Sequence, residues 1–344
     1  MIGQRSESGR AVGTYCLAGV GILAVSISVV VAIGPARVGV TDAWSVVLSR
    51  LGLAEVELSP LRAGIVWDLR LPRALLAAIC GAGLAVCGAV MQALLRNPLA
   101  DPFVLGVSSG ASTGAVAVVV LGVGGGALSI SSGAFVGAVV SFALVLLLSQ
   151  TLGGTTERVV LSGVAAMQLF SSLTSFIVLT SGDAETTRGV LFWLLGSLSS
   201  AAWSEVALCA LVLAGVLAVC LGYARTLDAF AFGAEAAATL GVAVARTRVV
   251  LLCATALLTA ALVSAAGAIG FVGLVLPHAA RALVGANHGR LLPVTAVVGA
   301  VFLVWIDTLA RTVLEPQEVP VGVVTSLIGV PAFVVVLYRT RRAT

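Results

Sequence analysis

The sequence predicts an all-α, polytopic membrane protein with about ten transmembrane helices. Of its 344 residues, 60% are hydrophobic and only 10% are charged. Sixty per cent of 344 is about 206 residues, and one transmembrane helix needs roughly 20 apolar residues. Soluble domains carry about 25% charged residues, so the composition argues strongly against a water-soluble enzyme.

Ten apolar segments supply the expected spans, and no change in composition divides the chain, so residues 1–344 form one predicted domain. The segments lie at about 12–33, 71–94, 103–121, 128–149, 158–181, 204–222, 248–267, 268–284, 291–311 and 323–338. The first is too long for a signal-peptide core and no small-residue cleavage site follows it, which favours a retained span. Polar residues weaken the third segment and the eighth is short, so nine spans is the alternative.

The distribution of arginine predicts the orientation of the chain in the membrane. All 19 Lys+Arg positions are arginine. With the loops assigned alternately and the N-terminus inside, 12 of the 19 arginines fall on the inner side and 7 on the outer side. Because positive residues are enriched in cytoplasmic loops, we expect both termini in the cytoplasm of a multi-pass protein of the bacterial cytoplasmic (inner) membrane.

The missing residue types argue against several kinds of chemistry. The chain has no lysine, and a Walker A motif needs a lysine that contacts the nucleotide phosphates. Any ATP hydrolysis must therefore occur on a partner subunit. Two histidines, and six cysteines without a CxxC pair, predict no metal site and no cofactor in this chain. The arginines are scattered, which argues against binding of nucleic acid. We therefore expect a protein without enzymatic activity.

The first block that contains residues with a role beyond helix packing spans residues 69–111. Arg70 and Arg73 stand at the predicted outer mouth of the second span, and we expect them at the interface because an arginine at the bilayer centre costs about 2.5–3.5 kcal/mol. Gln92 lies deep at the far end of the same span. The steps Asn97-Pro98 and Asp101-Pro102 follow, and they predict that the helix is broken there.

The second block begins near residue 267. Pro277, in a short span, predicts a broken helix with His278 and Arg281 at its inner end. A lone histidine after a proline is usually a structural cap, so we assign His278 no metal.

Further along this block, charged residues approach the predicted outer surface. Asp307 and Arg311 are four residues apart, so they can pair on one helix face. Glu318, Pro320 and Gly322 predict a tight outer turn.

Four motifs in these blocks stand intact and in the order of one family: RLPR at 70–73, NPLADP at 97–102, FVGLVLPHAAR at 271–281 and EVPVG at 318–322. Here the chain resembles the FecCD-type permeases of ABC importers for iron-siderophores, haem and vitamin B12, over about residues 60–340. The resemblance implies a vitamin B12 importer permease-like bundle, a single transmembrane permease domain that pairs with a second permease subunit as a homo- or heterodimer. It also implies a cytoplasmic ABC ATPase dimer, which would hold the ATP-Mg, and an extracytoplasmic substrate-binding protein.

The resemblance implies roles for individual residues as well. Arg70, Arg73 and Arg311 resemble arginines that receive acidic residues of the binding protein, with anchoring at the headgroups as the alternative. In the inner loop at about 223–248, the residues that match the family's ATPase-coupling helix are Gly233, Glu235, Leu240 and Gly241. Residues 234–240 are helix-prone and Gly241 is placed as their C-terminal stop, although composition alone allows an inert surface helix. Thr155 and Thr156 resemble the family's cytoplasmic gate.

The fifth span carries a polar stripe at helical spacing, formed by Gln168, Ser171, Ser172 and Ser175. Such a stripe faces either a neighbouring helix or a water-filled path. Hydrogen bonding between helices is therefore the alternative to lining a path. In the family this span lines the translocation path, which favours the second interpretation.

These observations predict the permease subunit of a binding-protein-dependent ABC importer for a ferric siderophore or similar metal chelate. A permease for haem or cobalamin is the nearest alternative. A secondary transporter driven by an ion gradient is the rival from another class, but it usually carries ionisable residues at the midplane. Here the acidic residues lie in loops or near the ends of spans, which counts against that rival.

Overall fold

The computed structural model of the chain describes residues 2–34, 38–53, 58–151, 153, 155–181 and 183–342. Within these ranges the chain is built from helices and contains no strand. Seven helices are long and apolar enough to cross a membrane, and three shorter apolar helices complete the set. Together they correspond to the ten predicted segments, which confirms the all-α membrane fold.

The helices are connected by short loops and by turns of other helical types. A π-helical turn, Ile65–Arg70, joins the helices Pro60–Gly64 and Leu71–Leu94, and a 3₁₀ turn, Pro102–Leu105, precedes the helix Val107–Val120. The α-helices are α1 (Ile2–Ala32), α2 (Val40–Arg50), α3 (Pro60–Gly64), α4 (Leu71–Leu94), α5 (Val107–Val120), α6 (Ile130–Thr151), α7 (Thr156–Leu179), α8 (Ala184–Leu194), α9 (Trp203–Gly222), α10 (Ala224–Phe230), α11 (Ala234–Thr239), α12 (Val244–Ala266), α13 (Val272–Val284), α14 (His288–Thr312) and α15 (Val321–Arg342).

Helix α4 is the centre of the bundle. The continuous helical segment Pro60–Leu94 has 89% of its most apolar stretch buried within the protein. Its α4 part packs against α9, α12, α13 and α14, while α5, α6 and α7 form a second group that contacts the first through α12. A helix enclosed in this way cannot face lipid along its length, so the two ends of α4 are where its polar residues can act.

Glycines allow the closest helix pairs. A Cβ added to Gly88 of α4 would collide with the backbone of Gly273 on α13, and one added to Gly110 of α5 would collide with Gly137 on α6. Close approach increases van der Waals packing between the helices. This packing matters in lipid because burial of apolar surface stabilises helix contacts little there. Gly106, four residues before Gly110, ends the 3₁₀ turn with a φ of 70°.

The predicted helix break at Pro277 is wrong, because α13 runs through this residue without interruption. The break lies earlier, at residues 267–271, where Gly267 and Phe271 have φ values of 69° and 66°. Pro277 lacks the N–H that would bond to the carbonyl of Gly273 four residues before. As described below, Gln92 supplies that missing donor, and the helix continues.

The predicted outer turn at Glu318, Pro320 and Gly322 is also misplaced. The turn lies earlier, where the N–H of Gln317 donates to the carbonyl of Leu314 at 2.9 Å. Pro320 directly precedes α15, a position where a missing N–H leaves no helical bond unmade. Gly322 lies in the first turn of α15, where an added Cβ would collide with the carbonyl of Leu195.

Candidate functional site

The polar residues singled out in the sequence gather at two opposite ends of the bundle. We call them the Arg73 end, formed by the end of α1, the start of α4 and the end of α14, and the α11 end, formed by the end of α4, α10, α11 and the start of α14. Helix α4 has 24 residues and joins the two ends over about 36 Å, at 1.5 Å per residue.

At the Arg73 end, one guanidinium holds two carboxylates from distant parts of the chain. Nη2 of Arg73 lies 2.9 Å from Oδ1 of Asp307, and Nε donates to both carboxylate oxygens at 3.0 Å. Nη1 donates to Glu318 at 3.0 Å. The side chain of Asp307 is 3% exposed and that of Glu318 is 37% exposed. The pair with Asp307 is therefore the buried one, and it joins α4 to α14.

The other two arginines of this end contact the last residues of α1. Nη1 of Arg70 donates to the carbonyl of Val31 at 2.9 Å, and Nη2 of Arg311 donates to that of Val30 at 2.7 Å. These carbonyls belong to a helix C-terminus, where cations are favoured by the exposed carbonyls and the helix dipole. The expected pair within α14 is present but long, since Nε of Arg311 lies 3.9 Å from Oδ2 of Asp307.

The three predicted docking arginines thus come together around one cavity of about 550 Å³. Its wall also carries Glu315 and Glu318. Arg70 is only 8% exposed, so it is buried within the protein at this end of the bundle. Arg70 is the last residue of the π-helical turn between α3 and α4, and its side chain contacts the end of α1.

At the α11 end, Gln92 joins Arg281 and the start of α13 in one hydrogen-bonded cluster. Nε2 of Gln92 donates to the carbonyl of Gly273 at 3.3 Å and to that of Leu274 at 3.1 Å. Its Oε1 accepts a bond of 2.7 Å from Nη1 of Arg281. Gln92 therefore satisfies the carbonyl that Pro277 leaves without a partner, and it ties α4 to α13. This explains why these residue types occur together.

His278 and Asn97 have local roles in the same region. Nδ1 of His278 lies 2.9 Å from the carbonyl of Leu274, four residues before it on α13. Oδ1 of Asn97 accepts from the N–H of Leu99 at 2.9 Å, which forms a turn ahead of Pro98. Neither contact needs a metal, and no group of three His, Cys, Asp or Glu side chains comes together among the residues described here.

Asp101 caps the 3₁₀ turn that leads into α5. Its Oδ1 accepts a bond of 2.8 Å from the N–H of Phe103. Burial raises the pKa of this carboxyl from its ordinary value of 3.8 to about 6, and the bond from Phe103 opposes the shift. Asp101 also lies beside Gly273, so the NPLADP segment packs against the start of α13.

The predicted coupling helix forms as α11, and its stop at Gly241 is confirmed. Gly241 has a φ of 83°, and its N–H donates to the carbonyl of Ala238 at 2.9 Å. The N–H of Val242 donates to the carbonyl of Ala237 at 3.1 Å. This pattern is a Schellman motif, which needs a left-handed residue and therefore favours glycine.

The four predicted coupling residues differ in exposure. Leu240 is 71% exposed, and Glu235 is exposed in the first turn of α11, near the positive end of the helix dipole. Gly233 is buried and begins the helix with a φ of 104°. Leu240 and Glu235 thus give the two ends of α11 exposed side chains that nothing in the described chain covers.

One pair at this end was missed by the sequence reasoning. Asp228 of α10 accepts bonds from the backbone N–H of His288 at 2.8 Å and from Nδ2 of Asn287 at 2.9 Å. Nδ1 of His288 lies 2.6 Å from the same carboxylate. Asp228 therefore caps the start of α14 from 60 residues away. No local pattern could have revealed this contact.

The polar stripe of α7 lies on its outer side. Gln168, Ser171, Ser172 and Ser175 are all exposed, whereas the opposite side of α7, with Ala166, Phe170 and Thr174, is buried. Ser175 donates to the carbonyl of Ser171 within the same helix. In the described protomer, no hydrogen bond joins the stripe to a neighbouring helix. Hydrogen bonds between α7 and α5 lie instead on the buried side of α7, where the hydroxyls of Thr174 and Thr113 are 2.8 Å apart and Thr113 donates to the carbonyl of Phe170 at 2.8 Å.

The predicted gate residues lie at the start of α7. Thr155 is the residue before the helix and is exposed, and Thr156 is its first residue and is half-buried. Neighbouring residues 152 and 154 lie outside the described part of the chain.

Comparison with known proteins identifies the family of the chain. The profile of the FecCD transport family matches residues 22–339. The cobalamin import system permease protein BtuC of Halobacterium salinarum is 46% identical over 281 residues, which cover 79% of this chain and 73% of that protein. The hemin transport system permease protein HmuU of Yersinia pestis is 39% identical over 281 residues, or 80% of this chain and 84% of that protein.

A solved structure with the same fold is described as an inward-facing conformation of a metal-chelate type ABC transporter. It superimposes with a TM-score of 0.83 at 29% identity, and the match covers 95% of this chain and 99% of that one. The Fe(3+) dicitrate transport system permease protein FecD of Escherichia coli is 39% identical over 277 residues, or 80% of this chain and 86% of that protein. The chain therefore belongs to the FecCD transport family, as an integral membrane permease.

Proposed function

We propose that this chain is the membrane-spanning permease subunit of a binding-protein-dependent ABC importer. The observation that carries the proposal is the exposed polar stripe of α7. This stripe would be unfavourable against lipid, because Ser175 bonds within its own helix but hydrocarbon offers Gln168 and the other two serines no partner. A second permease subunit facing this side would enclose a water-filled path lined by Gln168, Ser171, Ser172 and Ser175.

The Arg73 end faces the extracytoplasmic binding protein in this proposal, and the α11 end and both termini face the cytoplasm. The excess of arginines on the predicted inner side supports this orientation. Arg70, Arg73 and Arg311 then receive acidic residues of the binding protein. Since Arg73 already holds two carboxylates, an incoming acid would compete with Glu318, the more exposed of the two.

The cytoplasmic ATPase dimer, which holds ATP-Mg, would contact α11 through Glu235 and Leu240. Gly233 and Gly241 would fix the ends of this short helix so that it moves as a unit. Opening and closing of the path at Thr155 and Thr156 would follow nucleotide-driven motion of α11. No bond chemistry is assigned to the permease itself.

The proposed cargo is a ferric siderophore or a similar bulky metal chelate, with haem or cobalamin as alternatives. The names of the relatives support a chelate, since they include permeases for cobalamin, hemin and ferric dicitrate. The cargo is best tested on the binding protein of the same system, by measuring its affinity for siderophores, haem and cobalamin. High affinity for a compound that is not a metal chelate would contradict the proposed cargo class.

Transport itself is tested by reconstituting the permease with its ATPase and binding protein in liposomes. Uptake of radiolabelled chelate should require ATP on the side of the liposome membrane that carries the ATPase. It should be insensitive to ionophores, which dissipate ion gradients. Uptake that an ion gradient drives without the ATPase would overturn the proposal in favour of a secondary transporter.

Docking is tested with charge variants at the Arg73 end. Arg70→Glu and Arg73→Glu should weaken binding-protein association and transport while the folded protein keeps its basal ATPase activity, because charge pairs at such contacts set register and on-rate. Arg73→Glu is measured below its own lowered Tm, since it also breaks the buried pair with Asp307. Glu318→Gln should strengthen association, since it removes the competing carboxylate. Arg62→Glu, an exposed arginine on the same side, is the matched control. Unchanged association in the Arg70 and Arg73 variants would refute the docking role.

A further inference from the structure

A cavity of about 610 Å³ lies at the α11 end, between the end of α4, α10 and the start of α14. We call it the Arg96 cavity. It lies at the end of α4, and one of the residues that line it, Phe232, is 78% exposed. The polar and charged residues of its wall that matter here are Gln92, Arg96, Asn97, Asp228, Arg281 and His288.

The wall of this cavity carries two cations without carboxylate partners in the described part of the chain. None of the ion pairs found there includes Arg96 or Arg281. Arg281 donates to the neutral amide of Gln92, and Asp228, the acidic residue of the wall, accepts instead from Asn287 and His288. The cavity therefore has an excess of positive charge where a carboxylate could enter.

The backbone of Arg96 gives an independent indication. Arg96 has a φ of 49°, one of two non-glycine residues with positive φ in the described chain. Its N–H donates to the carbonyl of Ala93, and the next N–H, of Asn97, donates to that of Gln92, so Arg96 occupies the position that glycine favours at a helix end. An L-residue there costs about 1 kcal/mol, and no hydrogen bond of the Arg96 side chain within the described protomer compensates for it. Strain of this kind, without a local benefit, points to a role in binding.

The position of the cavity favours a soluble protein over a lipid headgroup. Helix α4, which forms its roof, is enclosed by α9, α12, α13 and α14, so bilayer lipid at the periphery does not reach it. Phe232 at its opening and Leu240 on α11 are both largely exposed and belong to one continuous segment. Apolar side chains around a charged pocket are typical of a protein contact.

We propose that the Arg96 cavity receives an acidic side chain of the cytoplasmic ATPase, with Arg96 and Arg281 as its two cationic contacts. This proposal rests on the proposed function and adds a second contact to the one at α11. Arg281 is bonded to Gln92, which holds the carbonyls of Gly273 and Leu274. A carboxylate drawn to Arg281 thus acts on the junction of α4 and α13, near the centre of the bundle.

The test uses the full-length permease in lipid nanodiscs and the ATPase subunit of the same system. Arg96→Gly removes the guanidinium while leaving a residue that suits the left-handed backbone, so its fold should be at least as stable. Arg96→Glu should weaken ATPase association by about tenfold or more, and Arg96→Gly by less, because like charges repel in addition to the lost attraction. The affinity of the wild-type protein should fall more steeply with salt than that of Arg96→Gly.

Arg158→Glu is the matched control, since this exposed arginine is on the same predicted side but outside the cavity. Equal affinity of wild type and Arg96→Glu would overturn the proposal, and so would equal weakening by Arg158→Glu. Loss of co-purifying anionic lipid from Arg96→Glu, with ATPase affinity unchanged, would assign the cavity to a headgroup instead. If the wild-type permease binds no ATPase at all, the proposed function is refuted together with the cavity proposal. If wild type binds the ATPase and Arg96→Glu binds it equally well, only the cavity proposal is refuted.

Discussion

The ion network of the Arg73 end allows a sharp test, because one guanidinium holds a buried and an exposed carboxylate. Asp307→Asn removes the charge of a side chain that is 3% exposed and accepts three bonds from Arg73. Breaking a buried pair by removing one partner costs roughly 3–5 kcal/mol. We expect the lower end of this range here, because Arg73 keeps its second partner, Glu318. Glu318→Gln removes a charge that is 37% exposed, and such a pair contributes only about 0–1 kcal/mol.

Thermal unfolding in lipid nanodiscs measures the difference. In proteins of about 150–250 residues, 1 kcal/mol of stability shifts Tm by about 2–4 °C, so Asp307→Asn should lower Tm by roughly 6–12 °C and Glu318→Gln by no more than about 4 °C. The double variant Arg73→Met/Asp307→Leu should recover much of the loss, since it leaves neither charge buried alone. Similar Tm values for Asp307→Asn and Glu318→Gln would refute the assignment of stability to the buried pair.

Three further predictions concern other regions. Gly88→Ala should abolish or strongly reduce folded protein, because its Cβ collides with the backbone of α13, whereas Gly215→Ala, which meets no atom within 4 Å, should leave expression and Tm unchanged. Gly241→Ala should destabilise α11 by about 1 kcal/mol through its positive φ and lower transport per ATP hydrolysed; wild-type coupling would argue against a lever role. Folded Asp101, with a pKa near 6, binds its proton more tightly than the unfolded chain does, so stability falls as pH rises from about 4 to 6; Asp101→Asn should remove this dependence and raise Tm at pH 7.

How far the sequence could predict the fold depended on whether a feature was local. The helix at 234–239 and its stop at Gly241 followed from helix propensity and from the glycine preference of one backbone position. The break assigned to Pro277 was wrong because a proline removes a single donor, and a distant side chain, Gln92, replaced it. The capping of α14 by Asp228 was invisible for the same reason, since the two residues meet only after folding.

The sequence by itself determined that this is a membrane bundle of about ten apolar helices. It did so because apolar length and the scarcity of charge are properties of each segment alone. Only the tertiary structure decided how the few charges are used. It brings Asp307 and Glu318 to Arg73 across 234 and 245 residues and leaves Arg96 and Arg281 without a carboxylate in the described chain. Which charged residues pair depends on how the helices pack against one another. That packing depends in turn on many close contacts at glycines, which no single segment of sequence specifies.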